Sequence, residues 1–202
     1  ADLGFRDLVF DAHGVATAAR AFEVAGHVLA NGIEGNGRVV AFAFAGKAKK
    51  ASGTKVWLDA ALAARSANWA LLDAGLAYAT LYETLPHELI LAARKSAQAA
   101  RKRGVGVYGE EEVGVARSAA IKDLAQLQSL VMLPKLFRRL AQYFVETEGK
   151  LADFDAWVRA EAQRDDRLLL PSGEIGNLHD LYRIANKRLG LRHAPEDVVV
   201  LQ

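Results

Sequence analysis

The 202-residue sequence predicts an α+β fold in two parts, and three observations carry that expectation. Residues 5–46 hold β-prone runs separated by glycine-rich turns, and from Val56 to Arg103 apolar residues recur at helical spacing. The run Gly109-Glu110-Glu111-Glu112 then marks a shift in charge pattern and periodicity, which places a boundary between a domain at 1–109 and an appended, small, mainly helical α+β domain at 110–202. Hydrophobic residues make up 51% of the chain and charged residues 25%, the balance of a chain that folds around a core. Lys and Arg number 26 against 24 Asp and Glu, a net charge of +2, so any basic site must be local. No apolar run reaches the roughly 18 to 20 residues a membrane-crossing helix needs, because Glu34 and Arg38 interrupt the longest stretch; no membrane partner is expected. The absence of cysteine removes disulfides, thiolate nucleophiles and Cys-type zinc sites, and leaves oxidising and reducing compartments both open.

Taken in order, Phe5, Leu8, Val9 and Phe10 form a first strand-like run. In Phe22 to Leu29, residues Phe22, Val24, Gly26 and Val28 share one face at period two. Asn31-Gly32 and Gly35-Asn36-Gly37 are turn chemistry, and the aliphatic and aromatic run Arg38 to Gly46 completes a hairpin across them. Lys47 to Thr54 is a solvated loop. Leu58, Leu62, Trp69, Leu72 and Leu76 give Val56 to Ala77 a helical pattern, with Ser66 or Asn68 as the cap of a second helix and Gly75 closing the last turn. Thr84 reads as the N-cap of a helix with Pro86 in its first turn, running to Arg103 and stopping at Gly104. Leu89, Ala93, Ala97 and Ala100 form its apolar face, while Arg94, Lys95, Arg101, Lys102 and Arg103 crowd its C-terminal part, where positive charge also complements the helix dipole. Beyond the boundary, helices are expected over Ile121 to Val131, from Pro134 through Phe144, from Phe154, and from Leu178 to Leu189. Strands are expected at Leu168-Leu169-Leu170 and Val198 to Leu201.

The five histidines, at 13, 27, 87, 179 and 193, show neither the i, i+4 nor the His-x-His spacing of a metal site on one element. Gly35-Asn36-Gly37 lacks the Lys-Ser/Thr of a phosphate loop and leads into a strand instead of a helix. No Gly-x-Ser-x-Gly elbow occurs, so acyl transfer has no support. What remains is Glu34-Gly35-Asn36-Gly37-Arg38, a tight turn that places a guanidinium at the start of a strand, where it could hold a phosphate bidentately or be an ordinary solvated or ion-paired residue.

Read as a whole, the flanking sequence resembles the staphylococcal-nuclease-like (thermonuclease) family. Gly75-Leu76-Ala77-Tyr78, Leu85-Pro86-His87-Glu88 and the basic helix ending at Gly104 resemble that domain's C-terminal half, with Tyr108 where the family ends in Trp. Upstream, Glu34 to Phe42 resembles the family's Asp-x-Tyr-Gly-Arg-x-x-Ala strand, with Asn36 at the Tyr position, and Trp57 to Leu62 resembles its Val-Asn-x-x-Leu helix start. The match spans roughly residues 5–108 in the family's order. It implies an OB-fold barrel capped by helices and a calcium-dependent phosphodiesterase acting on DNA or RNA, in which charge neutralisation stabilises the developing dianion. Carried over, Arg38 is a catalytic arginine and Glu34 the acid that opens its turn. Tyr82 lies near the substrate-side tyrosines, and Arg94, Lys95, Arg101 and Lys102 form a nucleic-acid-binding stripe. The family's first half, with its other arginine and most calcium ligands, is expected to precede residue 1, so that an upstream segment or a partner protein completes the barrel. A non-catalytic nucleic-acid-binding or scaffolding module of the same fold is the alternative.

Overall fold

The computed structural model describes residues 4–13, 15–20, 23–33, 37 and 39–201. The chain divides into two compact units, Ala1–Leu71 and Leu72–Gln202, so the compositional shift at 109/110 falls inside the second. The architecture is mixed α+β, and among the described residues the strands form five small sheets, none closed into a barrel. No described helix is long and apolar enough to cross a membrane.

The first unit opens with a short hairpin, β1 (Val9–Phe10) and β2 (Ala16–Ala18), whose turn is tied by Asp11 Oδ1 accepting the amides of His13 and Val15 at 2.8 and 2.9 Å. A longer antiparallel hairpin follows, β3 (Gly26–Ile33) against β4 (Val39–Ala45), in register from Gly26 opposite Ala45 to Ile33 opposite Val39. Here the turn expectation for Asn31-Gly32 is corrected: both residues lie within β3, where the register shifts between Ala30 and Gly32, and the connection falls at 34–38 instead. A bulge absorbs the extra residue and lets the strand continue. Phe44 is buried and stacks on His27, ring centroids 5.2 Å apart. Val28, Ile33, Val39 and Val40 are each more than half exposed.

The helical stretch after the lysine loop breaks into α1 (Ala60–Ala63) and α2 (Ala67–Asp73). Asp59 caps α1 by accepting the Leu62 amide at 2.7 Å, and Ser66 is the second cap, its Oγ accepting the Trp69 amide at 3.1 Å. Asn68, the other capping expectation, reaches β4 instead: it accepts from the Ala43 amide at 2.9 Å and donates to the Ala41 carbonyl at 3.2 Å.

In the second unit, α3 (His87–Arg103) stops where expected, at Gly104 in the left-handed conformation with φ 64°. Its N-cap is Pro86, without a side-chain cap, so Thr84 does not play that part. The segment before it runs extended and joins the far end of the chain: Val200 donates to the Leu81 carbonyl at 2.7 Å and Glu83 to the Val200 carbonyl at 3.1 Å. Gly75 and Gly106 meet back to back, both at positive φ, with the Val107 amide donating to the Gly75 carbonyl at 2.8 Å. A β-carbon at Gly106 would strike that carbonyl, so only glycine fits.

The remaining elements are β5 (Glu112–Val113), β6 (Ala119–Ala120), α4 (Leu124–Gln128), β7 (Val131–Met132), α5 (Pro134–Thr147), α6 (Phe154–Arg159), β8 (Arg167–Leu169), β9 (Ile175–Asn177), α7 (Leu178–Leu181), β10 (Tyr182–Ala185), β11 (Arg188–Leu191) and β12 (Val199–Val200). Two helix expectations shorten. Asp123 caps α4 through the Gln126 amide at 2.8 Å, but Val131 has already passed into β7, parallel to β5. The helix expected over Leu178 to Leu189 ends after one turn, because Asn186 and Lys187, at φ 52° and 59°, form a tight turn between β10 and β11. The region beyond residue 110 therefore carries three small sheets beside its helices and is less helical than expected. Its core collects Leu127, Leu136, Leu140, Phe154, Leu178 and Leu189, and the α5 face expected to be apolar is buried in it.

Candidate functional site

Glu34 and Arg38, the two residues expected to do chemistry, lie outside the described residues; the segment that carries them joins β3 to β4. The expected basic stripe is described in full, and the helical period divides it in two. Arg94 and Arg101, seven residues apart, point at the 3-10 turn Pro195–Asp197. Arg94 Nε donates to the Glu196 carbonyl at 2.9 Å, and between the two arginines Gln98 Nε2 donates to Asp197 Oδ1 at 3.0 Å. Lys95 and Lys102, also seven apart, occupy the adjoining face and are exposed. Arg103 donates to the Asp73 carbonyl, tying the end of α3 to the end of α2. Tyr82 is half-buried, packs against the core and pairs through its backbone with Val200.

Arg101 is the centre of the arrangement. Its Nε and Nη2 meet Glu196 Oε1 and Oε2 at 2.6 and 3.0 Å, a bidentate pair, and its Nη1 meets Glu112 Oε2 at 2.7 Å. Glu196 is 0% exposed and Glu112 9%. The guanidinium also lies over the Tyr108 ring, 4.5 Å from its centroid, and Tyr78 meets Tyr108 edge-on at 5.4 Å. Burial alone would lower the Arg101 pKa, but the hydrogen bond and charge of Glu196, joined by Glu112, outweigh it and fix the guanidinium as a permanent cation. The Tyr78 hydroxyl is pushed well above its ordinary value, first by burial and then by Glu112. Tyr108 is pushed up to about 12, by burial and then by Glu196.

Beside this cluster opens a cleft of about 680 Å³, lined by Arg101, Tyr108, Glu112, Arg117, Arg192 and His193 among others. Sequence reasoning missed it. Glu112 reads as part of a boundary patch and Glu196 as part of a turn, and the signal that joins them, two acids flanking an over-basic helix, is visible only once residues 101, 112 and 196 are brought together.

A third buried acid, Asp165, holds His179 from two sides: Oδ1 accepts the His179 amide at 3.0 Å and Oδ2 lies 2.5 Å from Nδ1. The other ring nitrogen faces Asp180 at 3.5 Å. The histidine thus ties α7 to the segment just before β8. Among the described residues, no group of three or more carboxylates or imidazoles forms a metal cage. Asp7 pairs with Arg20 at 3.6 Å, and Asp11 is engaged in its own turn. No family model, no curated protein and no solved structure matches the chain.

Proposed function

We propose that this chain is part of a metal-dependent phosphodiesterase that hydrolyses DNA or RNA, in which β3 and β4 belong to an OB-fold barrel. The observation that carries the reading is the 26–45 hairpin: its connecting segment bears Glu34 and Arg38, and a helix ended by Gly104 follows in the order of the resemblance. The exposed Val28, Ile33, Val39 and Val40 support the barrel, because two paired strands with bare aliphatic side chains are a poor stopping point for a sheet. Strands from an upstream segment, or from a partner protein, would cover them.

In this reading Arg38 meets two phosphoryl oxygens with its planar fork and offsets the charge that grows as water adds to phosphorus. Glu34 stands at the mouth of the same turn as the acid of the site. Calcium would supply Lewis-acid charge to the phosphoryl group, but among the described residues no group of three or more carboxylates or imidazoles would hold it. Arg94 and Arg101 are engaged by Glu196, which leaves Lys95 and Lys102 as the phosphate-facing part of the stripe. The test is Arg38→Ala in the chain extended upstream, with turnover measured on labelled DNA and RNA. A loss of two or more orders of magnitude is expected, roughly the cost of removing one preorganised charge partner; near-normal turnover removes Arg38 from the mechanism.

A further inference from the structure

The cleft beside Arg101 has two sides of opposite character, and the reading above uses neither. One side is acidic. Arg101 faces two carboxylates, Glu112 and Glu196, so one negative charge is left over among three partly or fully buried groups, and Asp197 adds another at the wall. Glu112 is nine-tenths buried, and while Oε2 takes the Arg101 hydrogen bond, Oε1 is closed to solvent and has no donor among the described residues, so its charge acts on the cleft without a direct contact. The neighbouring Tyr78 hydroxyl donates to the Val107 carbonyl at 3.2 Å.

The other side is basic. The side chains of Arg117 and His193 have no partner among the described residues, and Arg192 uses only Nε, on the Tyr182 carbonyl at 2.8 Å. The backbone gathers these cations on one rim. The Gly114 amide donates to the Arg117 carbonyl at 3.0 Å, closing a tight turn, and the Leu191 amide donates to the Gly114 carbonyl at 2.9 Å, which sets that turn against the end of β11, directly before Arg192 and His193.

We infer that this cleft binds an amino-bearing nucleoside monophosphate, with its phosphate on Arg117, Arg192 and His193 and its exocyclic amine on Asp197, on the side where the buried Glu112 leaves negative charge in excess. Two guanidinium groups and an imidazole suit the double charge of a phosphate monoester better than a single carboxylate. A carboxylate accepts from an amine such as N4 of cytosine, and uracil presents a carbonyl oxygen at that position. The volume lies within the roughly 300 to 1,000 Å³ range of small-molecule sites. The choice of a nucleotide among amino-bearing phosphate monoesters rests on the nucleic-acid reading; the two-sided geometry stands without it.

The test is calorimetric titration of the full chain, in EDTA, with cytidine monophosphate, uridine monophosphate and inorganic phosphate. The cytidine nucleotide is expected to bind about tenfold or more tightly than the other two. The double variant Arg117→Gln/Arg192→Gln should lose about tenfold or more in that affinity while still unfolding in one cooperative thermal transition, because the fold gives up only the Arg192 Nε bond to the Tyr182 carbonyl and, among the described residues, no ion pair. Asp197→Asn, which keeps an acceptor for Gln98, should narrow the preference for cytidine over uridine. Absence of cytidine monophosphate binding, equal affinity for the two nucleotides, or indifference to the double variant would each overturn the site. Cleavage of nucleic acid by the upstream-extended protein without nucleotide binding here overturns this inference alone, whereas nucleotide binding without cleavage overturns only the phosphodiesterase reading.

Discussion

The Arg101 cluster shows how one side chain changes meaning with its surroundings. On a helix with five basic residues it looks like solvent-facing charge, but Glu196 and Glu112 hold it through three hydrogen bonds of 2.6 to 3.0 Å, with Tyr108 beneath it. Buried pairs of this kind contribute little net stability against an apolar substitute, yet removing one partner strands a charge. The tyrosines beside it carry a pH dependence whose sign is fixed. Unfolded tyrosines ionise near pH 10, and Tyr108 only near 12, so between those values the unfolded chain has released a proton that the folded chain keeps. The contribution is therefore intact below pH 10 and is lost as pH rises toward 12, with Tyr78 acting in the same direction. The loss expected from Tyr108 is on the order of 2 kcal/mol. Thermal melting at pH 9 and pH 11 checks it: the wild type should lose stability across this interval and Tyr108→Phe should lose distinctly less, whereas an equal loss in both would contradict the assignment.

At the scale of elements, the long helices were legible and the short strands were not. α3 and α5 declare themselves by apolar spacing, a glycine stop and a proline start, and both form close to their expected bounds. The Leu178 to Leu189 stretch fails as a helix because its left-handed Asn186-Lys187 turn lets Tyr182 to Ala185 pair with Arg188 to Leu191, and tertiary pairing overrides a weak helical period. Asn31-Gly32 misleads in the opposite sense, since a dipeptide that usually turns a hairpin serves here as a bulge inside a strand. Neither outcome is readable from local pattern. The contact between Gly75 and Gly106 is just as silent, because it joins residues far apart in sequence. Gly106→Ala is expected to destabilise the protein by about 3 kcal/mol or more, through both the clash and the positive φ of 59°. A melting temperature within about a degree of the wild type would contradict that packing.

For the molecule as a whole, a set of long-range ties in the second unit runs between α3 with the strand segment before it and the last ten residues of the chain. Arg94, Gln98 and Arg101 grip residues 196 and 197, and Leu81 to Glu83 pair with Val200. A chain ended at residue 109 would lose Glu112, Glu196 and the β12 partner together, and it is expected to show no cooperative thermal transition by circular dichroism. A sharp transition in that fragment would mean that the region before 109 stands without these ties. The candidate site divides in the same way: the Arg38 turn is an expectation from a local motif that lies outside the described residues, while the 101–112–196 cluster depends on three segments meeting and leaves no local trace. The most direct test of nucleic-acid hydrolysis is incubation of this chain with labelled single-stranded DNA and RNA, in calcium and in EDTA, with cleavage and binding scored on one gel at two salt concentrations. Under the proposed function, salt-sensitive binding by this chain is expected, with calcium-dependent cleavage when a segment that completes the proposed barrel is added. Binding that never turns to cleavage would leave a nucleic-acid-binding module, and the absence of both would contradict the nucleic-acid reading altogether.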